Sequence, residues 1–426
     1  MALSQIKSIK AKEILNSRGE PTVEAELKTN LGVFRASVPS GASTGKYEAK
    51  ELRDNQKRYF GKGVLGACKN INEIIAPKLK GKNPVKQKNI DQLMLELDGT
   101  KDKSKLGANA ILAVSTAVCR AGAMAESLPL YKHIRNIAEK NSKNQFSVTP
   151  KFKVPFSCFN IINGGAHAEN DLDIQEFMIV PGFNSFSKNL EGVAEIYHTL
   201  KGILEKEVGN GATNVGDEGG FAPLLKKTKD ALDLIIKAIK KAGYQNKIKI
   251  GLDCAASQFY KNRKYQIDGK TLTKEKLFDF YQEIIKEYPI LFLEDPFAEQ
   301  DWQAWELFKP KAKKQNKKVF LVGDDLTVTN QERIRKAISK DCIGGVIIKP
   351  NQIGTVIETI QAVNVAQDSN LKIIVSHRSG DTCDNFISDL AVGVGADFIK
   401  SGAPIRGERI SKYNRLLKIE RELNNR

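Results

Sequence analysis

From residue 154 onward one pattern recurs: a short apolar run that closes on a polar or charged residue. The runs read VPFSCFNIINGG, DIQEFMIVPG, ATNVGDEGG, KIKIGLDCA, ILFLEDP, KVFLVGDDL, GGVIIKPN, KIIVSHRSG and ADFIKSG. Between most of them lie stretches such as KDALDLIIKAIKKAG, KEKLFDFYQEIIKEY, QERIRKAIS and TVIETIQAVNVAQ, whose apolar residues recur at helical spacing. Strand–helix units repeated over about 280 residues predict a (β/α)8-type barrel. In such a barrel the functional groups sit where strands end. Here those ends read Glu176, Glu218, Asp253, Glu294, Asp324, Lys349, Arg378 and Lys400. A single strand-end carboxylate is ordinarily a turn or cap residue. Six or more charged ends carry more weight, because a barrel gathers them at one mouth.

The first third follows other rules. Val23, Ala25 and Leu27 alternate with polar residues, a turn follows around Thr29–Gly32, and Val33 to Val38 resumes the alternation. This predicts an antiparallel hairpin. Residues 64–140 carry apolar positions at helical period. A small N-terminal α+β domain over residues 1–145 therefore precedes an α/β barrel over 146–426. The polar segment RNIAEKNSKNQFSVTPKFK places the boundary near 140–150.

Composition removes several classes. Hydrophobic residues make up 41% and charged residues 27%, which excludes a disordered or collagenous chain. No uninterrupted apolar run approaches the roughly 18 residues of a spanning helix, so no membrane insertion is expected. The first residues lack an apolar signal-peptide core. The six cysteines include no CxxC pair and read as reduced thiols of a cytoplasmic protein. The net charge is +17, and residues 1–145 hold 26 Lys+Arg against 14 Asp+Glu. The favoured reading is a lysine-rich solvated surface; binding to RNA or an anionic surface is the alternative. Two glycine motifs are decoys. Gly61–Gly66 lacks the preceding strand of a dinucleotide site, and Gly41–Lys46 has the wrong spacing for a P-loop.

Asp253, Glu294 and Asp324 close three successive runs. Three carboxylates at one mouth make a hard oxygen site suited to Mg2+. Lys349 closes the next run and is a candidate base if it is kept neutral; Arg378 and Lys400 would lower its pKa. Glu218 could face it, and Glu176 could couple to Glu218, so that one of two close carboxyls stays protonated as a general acid. Arg378 and Ser379 suit a phosphate or carboxylate. PSGASTG reads as a lid or anion-binding loop, and NGGAH, with His167, as a second loop.

Ten segments in order (SRGEPTVE, VPSGASTG, NIINGGAHA, DIQEFMIVP, GDEGGFAP, GLDCAAS, LEDPF, GDDLTVTN, KPNQIGT and SHRSGDT) make the chain resemble the enolase family over essentially its whole length. The resemblance implies an N-terminal α+β domain on a modified barrel that begins with two strands and two helices. It implies reversible dehydration of 2-phospho-D-glycerate to phosphoenolpyruvate, a step of glycolysis and gluconeogenesis. Asp253, Glu294 and Asp324 would bind a first Mg2+. Ser43 would help hold a second that arrives with substrate. Lys349 would be the C2 base and Glu218 the general acid, with Glu176 beside it. Arg378 and Ser379 would bind phosphate, Lys400 the carboxylate side, and His167 and Gln175 would line the site. It also implies a homodimer or larger homo-oligomer. Secondary binding to RNA-processing machinery or host surface proteins, with a cell-surface or secreted pool, is the alternative role. Pro350 departs from the family pattern, which usually has a non-proline apolar residue after the lysine, and its fixed φ is expected to shift the base slightly.

Overall fold

The computed structural model describes residues 4–42, 45–142, 151–313 and 319–425. The expected domain boundary falls largely on 143–150, outside the described residues.

The hairpin of the first third is extended by one strand. β1 (Ser8–Leu15), β2 (Pro21–Lys28) and β3 (Val33–Ser37) form an antiparallel sheet in the order β1-β2-β3. Val23, Ala25 and Leu27 point to one face and are fully buried. That face packs on the helix Ala108–Ala125. This helix is long and apolar enough to cross a membrane by length and composition alone, a reading the run-length test missed. It is 83% buried inside the fold and serves as the core helix of the domain.

The barrel is closed by eight strands. These are β4 (Phe156–Asn163), β5 (Glu176–Pro181), β6 (Ile248–Asp253), β10 (Ile290–Glu294), β11 (Phe320–Gly323), β12 (Gly345–Ile348), β13 (Lys372–Ser376) and β14 (Phe398–Lys400). Between β6 and β10 lies a small antiparallel sheet of β7 (Tyr260–Lys261), β8 (Lys264–Ile267) and β9 (Lys270–Leu272). β5 pairs antiparallel with both β4 and β6, whereas the other barrel pairs are parallel. Helices Phe186–Glu207 and Thr228–Lys241 both follow β5 before β6 begins. The barrel thus opens β-β-α-α and then settles into β-α repeats.

One of the nine runs is not a strand. ATNVGDEGG lies in the connection between those two helices. Its glycines serve a turn instead: Gly219 has φ +85°, and a Cβ on Gly216 would lie 2.4 Å from the His167 carbonyl oxygen.

Side chains alternate across a strand, so every second residue enters the barrel. The inner cluster is Cys158, Met178, Val180, Phe292, Val322, Ile347, Ile374 and Phe398. It fills the barrel as a packed plug. The β6 strand leaves room for Phe292, because a Cβ on Gly251 would lie 2.3 Å from its ring.

Candidate active site

The same alternation builds the mouth. Two residues beyond the apolar plug, on the same face of each strand or its continuation, stand Glu294 after Phe292, Asp324 after Val322, Lys349 after Ile347 and Lys400 after Phe398. Glu176 needs a different explanation from the one its sequence suggested. It begins β5 rather than ending it. Because β5 runs antiparallel, its first residue lies at the mouth where the parallel strands end. The register then sets Glu176 opposite Asp253, and Asp253 opposite Glu294.

These carboxylates are buried, and one lysine holds them. Lys400 Nζ lies 2.8 and 2.9 Å from the Glu294 oxygens, 3.2 Å from Asp253 Oδ2 and 3.3 Å from Glu176 Oε1. Burial pushes the Lys400 pKa down, but Glu176, Glu294 and Asp253 together outweigh it and raise it well above the ordinary value. Burial, then Asp253, raises Glu294. Gln175 donates to Asp253 Oδ2 at 3.2 Å and accepts from Gln258 at 2.6 Å.

Glu218 sits beside this row. Its Oε2 accepts from Asn160 Nδ2 at 3.0 Å, and its Oε1 lies 3.3 Å from His377 Nε2. His167 Nδ1 lies 3.6 Å from both Glu176 Oε1 and Glu218 Oε1. The two carboxyls are pushed in opposite directions. Burial and then the charge of Glu218 raise Glu176 well above the usual range. Burial also works to raise Glu218, but His377, His167 and Arg409 reverse it and hold it well below. Burial lowers both histidines, His377 to about 4.

Lys349 stands across the barrel from β5, and its Nζ is paired with Asp324 Oδ2. Gln352 donates to Asp324 Oδ1 at 2.9 Å, and Thr329 binds both the Lys349 amide and Gln352. Arg378 and Lys400 do depress the Lys349 pKa, as does burial, but Asp324 prevails and the net shift is upward. In the protein without a bound cation, an adjacent carboxylate outweighs more distant cations. Pro350 occupies the first position of the short helix Pro350–Ile353, where its missing N–H costs nothing.

Arg378 is buried and forked onto Glu48, at 2.9 and 3.2 Å, with Asn351 Oδ1 at 3.1 Å. Ser379 Oγ accepts from the Ala42 amide at 2.7 Å, which ties Ala42 to the mouth. Ser43 lies outside the described residues. Sequence reasoning assigned no role to Glu48, Asn160, Gln352 or Arg409. His377, Asn160 and Gln352 do lie inside quoted segments, SHRSGDT, NIINGGAHA and KPNQIGT. Glu48 and Arg409 are single charged residues whose partners lie far away in the chain.

The donor set fits a divalent cation. Asp253, Glu294 and Asp324 offer only carboxylate oxygens, the ligands hard ions prefer. In the protein alone, two ammonium groups already neutralise them, Lys400 on Asp253 and Glu294 and Lys349 on Asp324. Among the described residues, two tighter sets have ligand atoms within 4.8 Å of one another: His167, Glu176 and Glu218, and Asp295, Asp324 and Asp325. Asp295 is engaged otherwise, since its oxygens accept the Asp324 and Asp325 amides at 3.0 and 2.6 Å.

Two family models match the chain. The one described as "Enolase, N-terminal domain" covers residues 6–134, and the one described as "Enolase, C-terminal TIM barrel domain" covers 151–426. The second alone spans more than half of the sequence and contains every described residue of the mouth except Ala42 and Glu48. With the α+β domain, the β-β-α-α opening and the acidic row against two lysines all in place, the chain belongs to the enolase family and is an enolase-type lyase.

Proposed function

We propose that this protein catalyses the reversible, Mg2+-dependent dehydration of 2-phospho-D-glycerate to phosphoenolpyruvate and water, as a glycolytic and gluconeogenic enzyme. One observation carries the reading: a lysine on one side of the mouth faces two carboxyls that share His167 on the other, with a buried arginine and a serine hydroxyl alongside. Lys349, freed from Asp324 and deprotonated, takes the proton from C2. The C2–C3 double bond forms as the C3–O bond breaks. The departing hydroxyl takes a proton from the Glu218–Glu176 pair, delivered by Glu218, and leaves as water.

Arg378 and Ser379 bind the phosphate, and Arg378 exchanges Glu48 for it. Lys400 faces the carboxylate side, and Gln175 and His167 line the pocket. Asp253, Glu294 and Asp324 would hold one Mg2+, and Ser43 would help hold a second that arrives with substrate. Bound cations supply the positive charge that a carboxylate made doubly negative by proton loss requires. The same reading places the enzyme in the cytoplasm, in line with six cysteines that form no disulfide. The test is the ultraviolet absorbance of the enol phosphate formed from 2-phosphoglycerate, with and without Mg2+. Turnover that needs Mg2+ supports the proposal; folded protein with Mg2+ and no turnover refutes it.

A further inference from the structure

The last helix, Gly407–Asn424, sends one arginine into the interior beneath the mouth. Arg409 is fully buried. Its Nη1 donates to His377 Nδ1 at 2.7 Å and to the Arg378 carbonyl at 2.6 Å. Its Nη2 donates to the carbonyls of Asp217 at 2.9 Å and Ser379 at 2.5 Å. A guanidinium carries only donors and does not lose its proton in proteins. The nitrogen it meets must therefore accept. His377 Nδ1 is bare, and the ring proton is on Nε2, which faces Glu218 Oε1 at 3.3 Å.

We propose that Arg409 is a positioning residue that locks His377 as an Nε2–H donor and so orients the Glu218 carboxylate. Glu218 Oε2 accepts from Asn160, and its Oε1 lies 3.3 Å from His377 Nε2, so the Nε2 proton stands beside the second oxygen. The other three bonds of Arg409 fix the backbone on either side of the same contact. Asp217 precedes Glu218, and Arg378 and Ser379 follow His377. One side chain thus ties together the two loops that supply the carboxyl and the anion-binding residues. Asp381 is a further charged neighbour of His377, and its Oδ2 lies 3.8 Å from Arg409 Nη1. Asp381 is bound to Lys412 at 2.9 Å, so it does not compete for Nδ1.

The inference rests on the proposed dehydration for its consequence but not for its first readout. The full chain labelled with ring-15N histidine contains four histidines, His133, His167, His198 and His377. The His377→Gln variant assigns the fourth signal. In the unsubstituted protein we expect an unprotonated Nδ1 and a protonated Nε2 at His377. In Arg409→Met we expect that preference to be lost. Dehydration should then fall by about 10–100-fold, and by more than C2 proton exchange, because the disturbed group is Glu218 rather than Lys349. If Arg409→Met does not fold, Arg409→Lys is read in the same way, since an ammonium cannot serve Nδ1 and three carbonyls at once. A protonated Nδ1 in the unsubstituted protein overturns the proposal. So does an unchanged tautomer in a folded Arg409 variant, or equal loss of exchange and dehydration. If the tautomer is as expected but no variant or parent dehydrates 2-phosphoglycerate, the functional reading fails and the positioning contact stands.

Discussion

Two layers of the barrel interior lie one strand repeat apart and have opposite economies. The lower layer, with Phe292, Val322, Ile347, Ile374 and Phe398, is apolar and packed. The upper layer holds charge: Glu176, Asp253, Glu294, Asp324 and Lys400 are buried, and Lys349 is partly buried. The first stabilises by removing apolar surface from water, at about 25 cal/mol per Å2. The second is costly to bury, and removing one partner of such a pair costs about 3–5 kcal/mol. The connections above it also keep strained backbone: Ala255, Asp295, Val328 and Thr329 all have positive φ. The comparison teaches that the plug stabilises a mouth that would not assemble by itself.

The layers should therefore separate under mutation. Glu218→Gln is expected to lower dehydration by up to about 10⁴-fold while leaving most C2 exchange and the melting temperature in place. Equal loss of both partial reactions would break the assignment of Glu218 to the second step. Phe292→Ala should do the reverse, costing about 3–5 kcal/mol of stability in a denaturant titration with turnover per folded molecule within about 10-fold of the parent. If its turnover collapses without a stability loss, the two layers are not separable.

A smaller effect concerns pH. His377 is held at about 4 in the folded protein against 6.5 for a free imidazole. Between those values the unfolded chain binds the proton and the folded one does not. Stability is therefore fully present above about pH 6.5 and is lost as pH falls towards 4, by up to about 3 kcal/mol. His377→Gln should flatten that part of the stability–pH curve. An unchanged slope would show that the carboxylates alone set the acid limit.

Much of this was written in local pattern. The runs that close on Asp253, Glu294 and Lys400 end as strands, and Asp324 and Lys349 fall one residue beyond theirs. Apolar run plus charged end is a signal each strand carries within itself. The exceptions needed information from elsewhere. Nothing within DIQEFMIVPG says that β5 runs backwards, which is what puts Glu176 at the mouth by its beginning. GDEGG follows an apolar residue like the others, yet its glycines make a turn. Lys349 looks like a base among cations until Asp324, 25 residues away, is found on it. Arg409 shows no signal in a helix rich in charge, because its partners come from residues 217 and 377–379.

The claim on which the account rests most heavily is that Lys349 removes the C2 proton. Incubating 2-phosphoglycerate with Mg2+ in heavy water and following deuterium at C2 tests it without requiring the hydroxyl to leave. The parent protein should exchange that proton, and Lys349→Ala should not, with its fold and cation binding checked alongside. Exchange at the parent rate in folded Lys349→Ala would contradict the account and move the search for the base to another side chain of the mouth.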